Sequence, residues 1–409
     1  MRQLLFLREN YSLLGRVAQL LKRLLPFALL WTGAGTTLAQ TSVGELRKFL
    51  GDKAAFQTDD FTTLEKGQVV AKLLPVKDKR EIDALGIFHT SVSADIFLQR
   101  YRKRITHNLS ENMIQAGKFS NPPSSDDLRA LVLDPRDIED IKKCESGNCD
   151  LKLSDAMIER LQKEVNWSAS DYRAQANNLF RQILLDYVRD YLARGDAALV
   201  EYHDQSRPLR LADETRSLLD GSPYVNEYAP EFSKYLKGFP AAELPGAENF
   251  IYWSILKFGF KPVVAITHIT IYPRQQGNAS QVLVAEKQIY ADHYFDSSLA
   301  LTVFTAFPKA AGSDSYLLYM NSSRADALTG AFGKLRRLVI KGEALDGLKT
   351  NLYITKRHLE TDSENQADSS PPPSSTPFGT GGIVLISAVL GAALIVIFWL
   401  YLKREKAAD

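Results

Sequence analysis

Apolar and polar positions alternate with two different periods along this chain, and the period changes near Glu248. Before that point most of the regular pattern is helical. Residues 43–55 read as a short helix. QVVAKLLP (68–75) and IDALGIFHTSV (82–92) interrupt it as strands, rich in Val, Ile and Leu. Ser93 then caps a helix, SADIFLQRYRKR, with Ile96, Phe97 and Tyr101 along one side. Residues 120–150 read as loop, broken by Pro122, Pro123 and Pro135. Ser154 caps the next helix, whose stripe is Ile158, Leu161 and Val165. A longer helix after Ser170 repeats Tyr172, Leu179, Ile183, Tyr187 and Tyr191 at helical spacing and stops at Gly195. Aromatics in such a stripe read as core. LADETRSLLDG and EFSKYLKGFP add two shorter helices before Pro240 and Pro245.

From Glu248 the runs shorten and alternate. ENFIYWSILKFGF, KPVVAITHITIY, SQVLVAEKQIYADHYF, LALTVFTAF and SYLLYMNSS are separated by turn-forming segments, which predicts an antiparallel meander. A long helix closes the region, with Leu328, Phe332, Leu335, Val339, Leu345, Leu348 and Leu352 as its apolar stripe. The predicted class is α+β: a large, mainly helical section at 105–248, then an antiparallel meander and a long C-terminal helix (249–358).

The two ends carry a different signal. Residues 1–39 combine a basic lead, the short apolar core LLPFALLW and small residues at Thr37 and Ala39, the pattern of a secretory signal peptide cleaved before Gln40. An uncleaved anchor is the alternative. Residues 382–402 contain no charge, enough for a transmembrane helix, and Trp399 and Tyr401 lie near one boundary. Lys403, Arg404 and Lys406 follow, whereas 360–381 holds acidic residues and no Lys or Arg. That asymmetry places the tail 403–409 in the cytoplasm and the domain 40–360 outside the membrane. The Pro/Ser-rich segment 361–381 is then a linker. The expected localisation is a cell membrane, single-pass, with the large domain extracytoplasmic, and the lipid bilayer is the first partner.

Composition changes little in this picture. Hydrophobic residues make up 45% and charged residues 24%, which suffices for a sizeable core, and the net charge of +2 gives no reason to expect nucleic acid. Cys144 and Cys149 are the only cysteines. An oxidising compartment permits their disulfide; a metal site would need two further ligands, and none lies nearby in sequence. Two cysteines in so long a chain fit a bacterial envelope better than a disulfide-dense animal ectodomain.

Candidate chemistry gathers in KQIYADHYFD, Lys287 to Asp296, where a strand-like stretch carries a lysine, two aspartates, a histidine and two tyrosines. Strand alternation puts Val282, Val284, Glu286, Gln288, Tyr290 and Asp292 on one face, and Leu283, Ala285, Lys287, Ile289, Ala291 and His293 on the other. Neither face is purely apolar, so the strand is expected to emerge into water or a polar mouth. A hairpin centred near residue 277 would set Thr267 against Lys287 and bring His268 to Glu286. That predicts a His268–Glu286 hydrogen bond in preference to a His268–His293 metal pair. Three readings stand: polar cross-strand pairs on a half-exposed sheet, a polar mouth that grips a ligand, and a metal or acid–base site. No HExxH-like spacing, GxSxG, P-loop or dinucleotide fingerprint occurs, so no metal and no cofactor is expected.

The strand and helix of GIFHTSVSADIFLQRY, the meander of 249–321 and the helix of 326–356 together resemble the START-like (helix-grip, polyketide-cyclase-like) superfamily. The resemblance implies an antiparallel meander gripping the long helix, with 105–248 as a large helical insertion, and an apolar cavity for a lipid or another hydrophobic molecule. The expected function is therefore binding of a hydrophobic, lipid-like ligand without catalysis, with Tyr252, His268, Glu286, Tyr290 and His293 as ligand-binding residues. An envelope protein–protein interaction or assembly module is the alternative, offered by the helical insertion. A hydrolase or lyase built on His268, Glu286 and His293 is the second alternative.

Overall fold

The first long strand of the fold pairs with the last. The structure is a computed structural model and describes residues 43–107, 113–257, 261–309, 313–325, 328 and 333–361. Strand β2 (Glu81–Thr90) runs antiparallel to β10 (Ser313–Arg324), with Ile87 opposite Leu318. The meander β6 (Glu248–Leu256), β7 (Val263–Gln276), β8 (Ala279–Ala291) and β9 (Ser297–Pro308) fills the space beyond β10. A hairpin strand β1 (Val70–Leu74) edges one side and β3 (Met113–Lys118) the other. The strand order is β1-β2-β10-β9-β8-β7-β6-β3, antiparallel at every pairing. A short pair, β4 (Glu201–Tyr202) and β5 (Leu209–Arg210), stands apart. The class is α+β.

Both faces of the sheet are covered, which is why its central strands read as apolar runs. One face packs against α1 (Val43–Ala54), α2 (Thr58–Glu65), α6 (Tyr172–Arg194), α7 (Leu211–Gly221), α8 (Pro223–Tyr228) and α9 (Pro230–Gly238). The other face carries α3 (Ala94–His107) and α10 (Gly333–Glu360). Alternation in β2 shows the division: Leu85 and Ile87 point to the first layer, Ala84 and Phe88 to the second. Phe97 of α3 stacks on Phe304 with ring centroids 4.4 Å apart. The long helix α10 lies on β1 and β2, and Gly86 lets it close in: a Cβ there would meet Leu352 Cδ1 at 2.1 Å.

Several expectations hold and some are corrected. The meander, the Ser93 and Ser154 caps and the stop at Gly195 are present; Ser93 Oγ accepts from Ile96 N, and Ser154 Oγ from Met157 N. Ile96 is not on the buried side of α3; it is 41% exposed, while Phe97 and Tyr101 are buried. The stretch 105–248 is not helical throughout. It opens with the end of α3 and with β3, a strand of the main sheet, so the insertion proper begins after Lys118. Within the supposed loop 120–150 lies a further helix, α4 (Pro135–Ile141), with Asp134 as its cap and Pro135 in its first turn. The helix α5 (Asp155–Glu164) follows it. Cys144 and Cys149 form the expected disulfide. The signal-like segment 1–39, the linker beyond residue 361, the span 382–402 and the tail 403–409 lie outside the described residues. Among the described residues no helix is long and apolar enough to cross a membrane.

Candidate functional site

The polar run in β8 and just after it is buried on both sides. Lys287 is 2% exposed and Asp292 0%, so the expected emergence into water does not occur. The run also changes face midway. Across β7 and β8, Thr267 pairs with Gln288 but Ile266 pairs with Tyr290, so Ile289 is an extra residue in β8, a bulge. Val282, Val284, Glu286 and Gln288 keep the face that alternation assigns them. Tyr290 does not: the bulge turns it to the side of Ile289, into the core shared with α6.

Glu286 and Gln288 therefore look towards the α3 and α10 layer, into a cavity of about 20 Å³. Its polar wall is Tyr252, Ser254, Thr267, Glu286, Gln288 and Ser298; its apolar wall is Met113, Leu256, Ala265, Phe295 and Ala300. Met113, Leu256, Ala265 and Phe295 pack in one cluster with Ile340 and Ala344 of α10. Tyr101 Oη of α3 donates to Glu286 Oε1 at 2.9 Å. Burial pushes the Glu286 carboxyl up to about 7, against the lowering effect of that hydrogen bond. Burial and then the Glu286 charge push the Tyr252 hydroxyl up as well. The side-chain nitrogen of Gln288 is buried and has no hydrogen-bond partner among the described residues.

His268 lies on the opposite face. It sits across from Lys287, and Ile269 sits across from Glu286, one residue away from the expected register. That step alone prevents the His268–Glu286 hydrogen bond, because alternate residues face opposite sides. His268 instead joins the insertion to the sheet. Its Nδ1 accepts from Tyr191 Oη at 2.8 Å, and its Nε2 donates to Asn249 Oδ1 at 2.9 Å. Thr270 Oγ1 donates to the same oxygen, and Asn249 Nδ2 donates to Tyr235 Oη. Burial, then the neighbouring Lys287 charge, hold the His268 imidazole well below its usual range, in keeping with a neutral ring. Lys287 Nζ is 2.7 Å from Asp196 Oδ1 and 5.1 Å from the centre of the Tyr191 ring. Burial lowers the Lys287 pKa, with Asp196 acting against it.

Tyr290 and His293 occupy a third environment. Tyr290 is ringed by Phe180, Tyr187 and Tyr202, with centroids 6.1 to 6.5 Å away. His293 Nε2 lies 3.0 Å from Asp137 Oδ1 of α4, and Asp137 also meets Lys261 Nζ at 3.2 Å. Of the five expected ligand-binding residues, only Tyr252 and Glu286 share the cavity wall. His268, Glu286 and His293 do not converge, so the geometry offers no catalytic constellation of those three.

Sequence reading missed Tyr101, Gln288 and Asp137 as partners in these environments. Asp137 was legible in principle, since Asp134 followed by Pro135 is a helix-start signal. Tyr101 read as ordinary helix core, and nothing in its spacing points to Glu286. Comparison with protein-family models, with curated proteins and with solved structures finds no match.

Proposed function

We propose that the chain is a membrane-tethered, extracytoplasmic protein of START-like architecture. On this reading it binds a hydrophobic ligand by a hydrogen-bonding head group, between the sheet and α10, and performs no chemistry on it. The observation that carries the reading is the amide nitrogen of Gln288, buried without a partner among the described residues in the wall of the cavity beside Glu286. An unsatisfied buried polar group costs about 1–3 kcal/mol, and a ligand head that accepts its hydrogen bond recovers that cost. The arrangement supports the reading further. The first long strand pairs with the last, the meander continues the sheet beyond that last strand, and the cavity opens on the face that holds the long helix. The uncharged run 382–402 and the basic residues after it support the tether.

A cavity of about 20 Å³ has room for a water molecule or a single polar group. The head group takes that place. The apolar body of the ligand then displaces Met113, Leu256 and Phe295, so binding is coupled to a shift of α10 against the sheet. The test is native mass spectrometry of the full chain extracted from membranes in detergent, before and after organic extraction. A discrete added mass, removed by the solvent and diminished in Ala300→Phe and Gln288→Leu, is the expected result. A chain that carries no added mass, and takes none up from a lipid extract, overturns the reading in favour of an envelope interaction module.

A further inference from the structure

Three side chains able to hold a metal meet inside the protein at the end of β8. Asp137, Asp292 and His293 each offer one donor atom, all within 4.8 Å of one another, and all three residues are buried. We propose that they form a site for a divalent transition-metal ion, with Zn²⁺ the fitting case, which ties α4 to the end of the β8 strand.

The donor set suits such an ion. One imidazole nitrogen and two carboxylates are common zinc ligands, with metal–ligand distances of about 2.0–2.2 Å. Two donors at that distance from one tetrahedral ion stand about 3.3 Å apart. His293 Nε2 and Asp137 Oδ1 are 3.0 Å apart, so this edge of the site already has the required span. The frame around Asp292 is fixed. Its Oδ1 accepts from Val264 N at 2.9 Å, its own N–H donates to Val264 O, and its carbonyl accepts from Lys152 N at 2.8 Å. The second oxygen, Oδ2, is buried and has no hydrogen-bond partner among the described residues. Nor is any Lys or Arg ion-paired with Asp292 among the described residues. Asp137 and Asp140 share the Lys261 ammonium, and the His293 Nε2–H faces Asp137 as well, while Asp292 Oδ2 is left over. A dication takes the place of the His293 proton and supplies a partner for Asp292 Oδ2. On binding, His293 Nε2 loses its proton to solvent and coordinates through its lone pair.

Lys261 competes for Asp137, and that competition makes the proposal testable by gain as well as by loss. The full chain is purified in detergent without chelator, its metal content measured, then stripped and titrated with Zn²⁺. One Zn²⁺ per chain and a higher melting temperature on its return are expected. His293→Gln and Asp137→Asn should weaken uptake by about tenfold or more. Lys261→Met should tighten it, because the competing ammonium is gone. Co²⁺ added to the unaltered chain should give visible ligand-field absorption that Zn²⁺ abolishes, a readout that needs no variant to fold. A stripped chain that takes up neither ion overturns the site. So does uptake that is the same in wild type, His293→Gln and Lys261→Met, since such binding lies elsewhere. Every readout is metal uptake, so the result is separate from that of the lipid experiment.

Discussion

The Lys287 ammonium lies 2.7 Å from the Asp196 carboxylate, sealed between the sheet and the turn that follows α6. Asp196 belongs to the helical insertion and Lys287 to the central meander, so the pair fastens one to the other. Removing either partner strands a buried charge. Asp196→Ala is expected to cost about 3–5 kcal/mol in urea unfolding. The double variant Asp196→Ala, Lys287→Met should recover most of that loss, because a well-packed apolar pair often replaces a buried ion pair without penalty. A double variant no more stable than Asp196→Ala alone would show that the ion pair is not the source of the loss.

Glu286 gives the protein a pH dependence of definite sign. Its folded pKa, about 7, lies above the ordinary value of 4.5, so the folded state holds the proton more tightly than the unfolded state. Stability from this group is fully present below about 4.5 and is lost as pH rises through 7. The shift corresponds to a loss on the order of 3 kcal/mol at pH 8. Glu286→Gln keeps an acceptor for Tyr101 and removes the titration. It should match wild type at pH 4.5 and exceed it at pH 8 in thermal unfolding. Asp83, also pushed up to about 7 by burial, titrates in both proteins, so their difference isolates Glu286. Parallel pH profiles for the two would refute this account.

Gly86 is needed for the closeness of α10 to β2. A Cβ at that position would lie 2.1 Å from Leu352 Cδ1. Gly86→Ala is therefore expected to destabilise by about 1–3 kcal/mol, the usual cost of overpacking. Leu352→Ala alone should also destabilise, by removing a buried side chain. Combined, the two changes should cost less than their sum, since each makes room for the other. Simple additivity in a double-mutant cycle would place the strain elsewhere.

The periods of the sequence carried most of the elements, because a sheet buried on both faces and helices with one apolar stripe leave distinct patterns. The faces of β8 were legible only as far as Gln288. The bulge at Ile289 inserts one residue, and no residue type there marks it, so Tyr290 was assigned to the wrong side. The register of β7 against β8 was one residue out, enough to invent a His268–Glu286 contact. Helix α4 is short and sits among prolines, so its period was too brief to register against the breakers around it. With it went Asp137, which lies far from His293 in sequence and reaches it only through the fold. Tyr252 of β6 and Glu286 of β8 line one wall because inward residues of a meander share a face across the intervening β7.

The proposed tether makes a prediction that the folded domain cannot supply. The uncharged run 382–402 is flanked by acidic residues on one side and by Lys403, Arg404 and Lys406 on the other. An uninterrupted apolar segment of that length partitions into the hydrocarbon layer, and the basic flank resists transfer across it. A chain ending at Gly381 should therefore leave the membrane fraction and appear in the soluble extracytoplasmic fraction, still folded. In the full chain, a cysteine introduced by Asp409→Cys should resist a membrane-impermeant thiol reagent until the cells are lysed. Native Cys144 and Cys149 do not interfere, since they are joined to each other. Labelling of intact cells at position 409 would reverse the orientation, and a truncated chain that stays in the membrane would move the anchor to the first 39 residues.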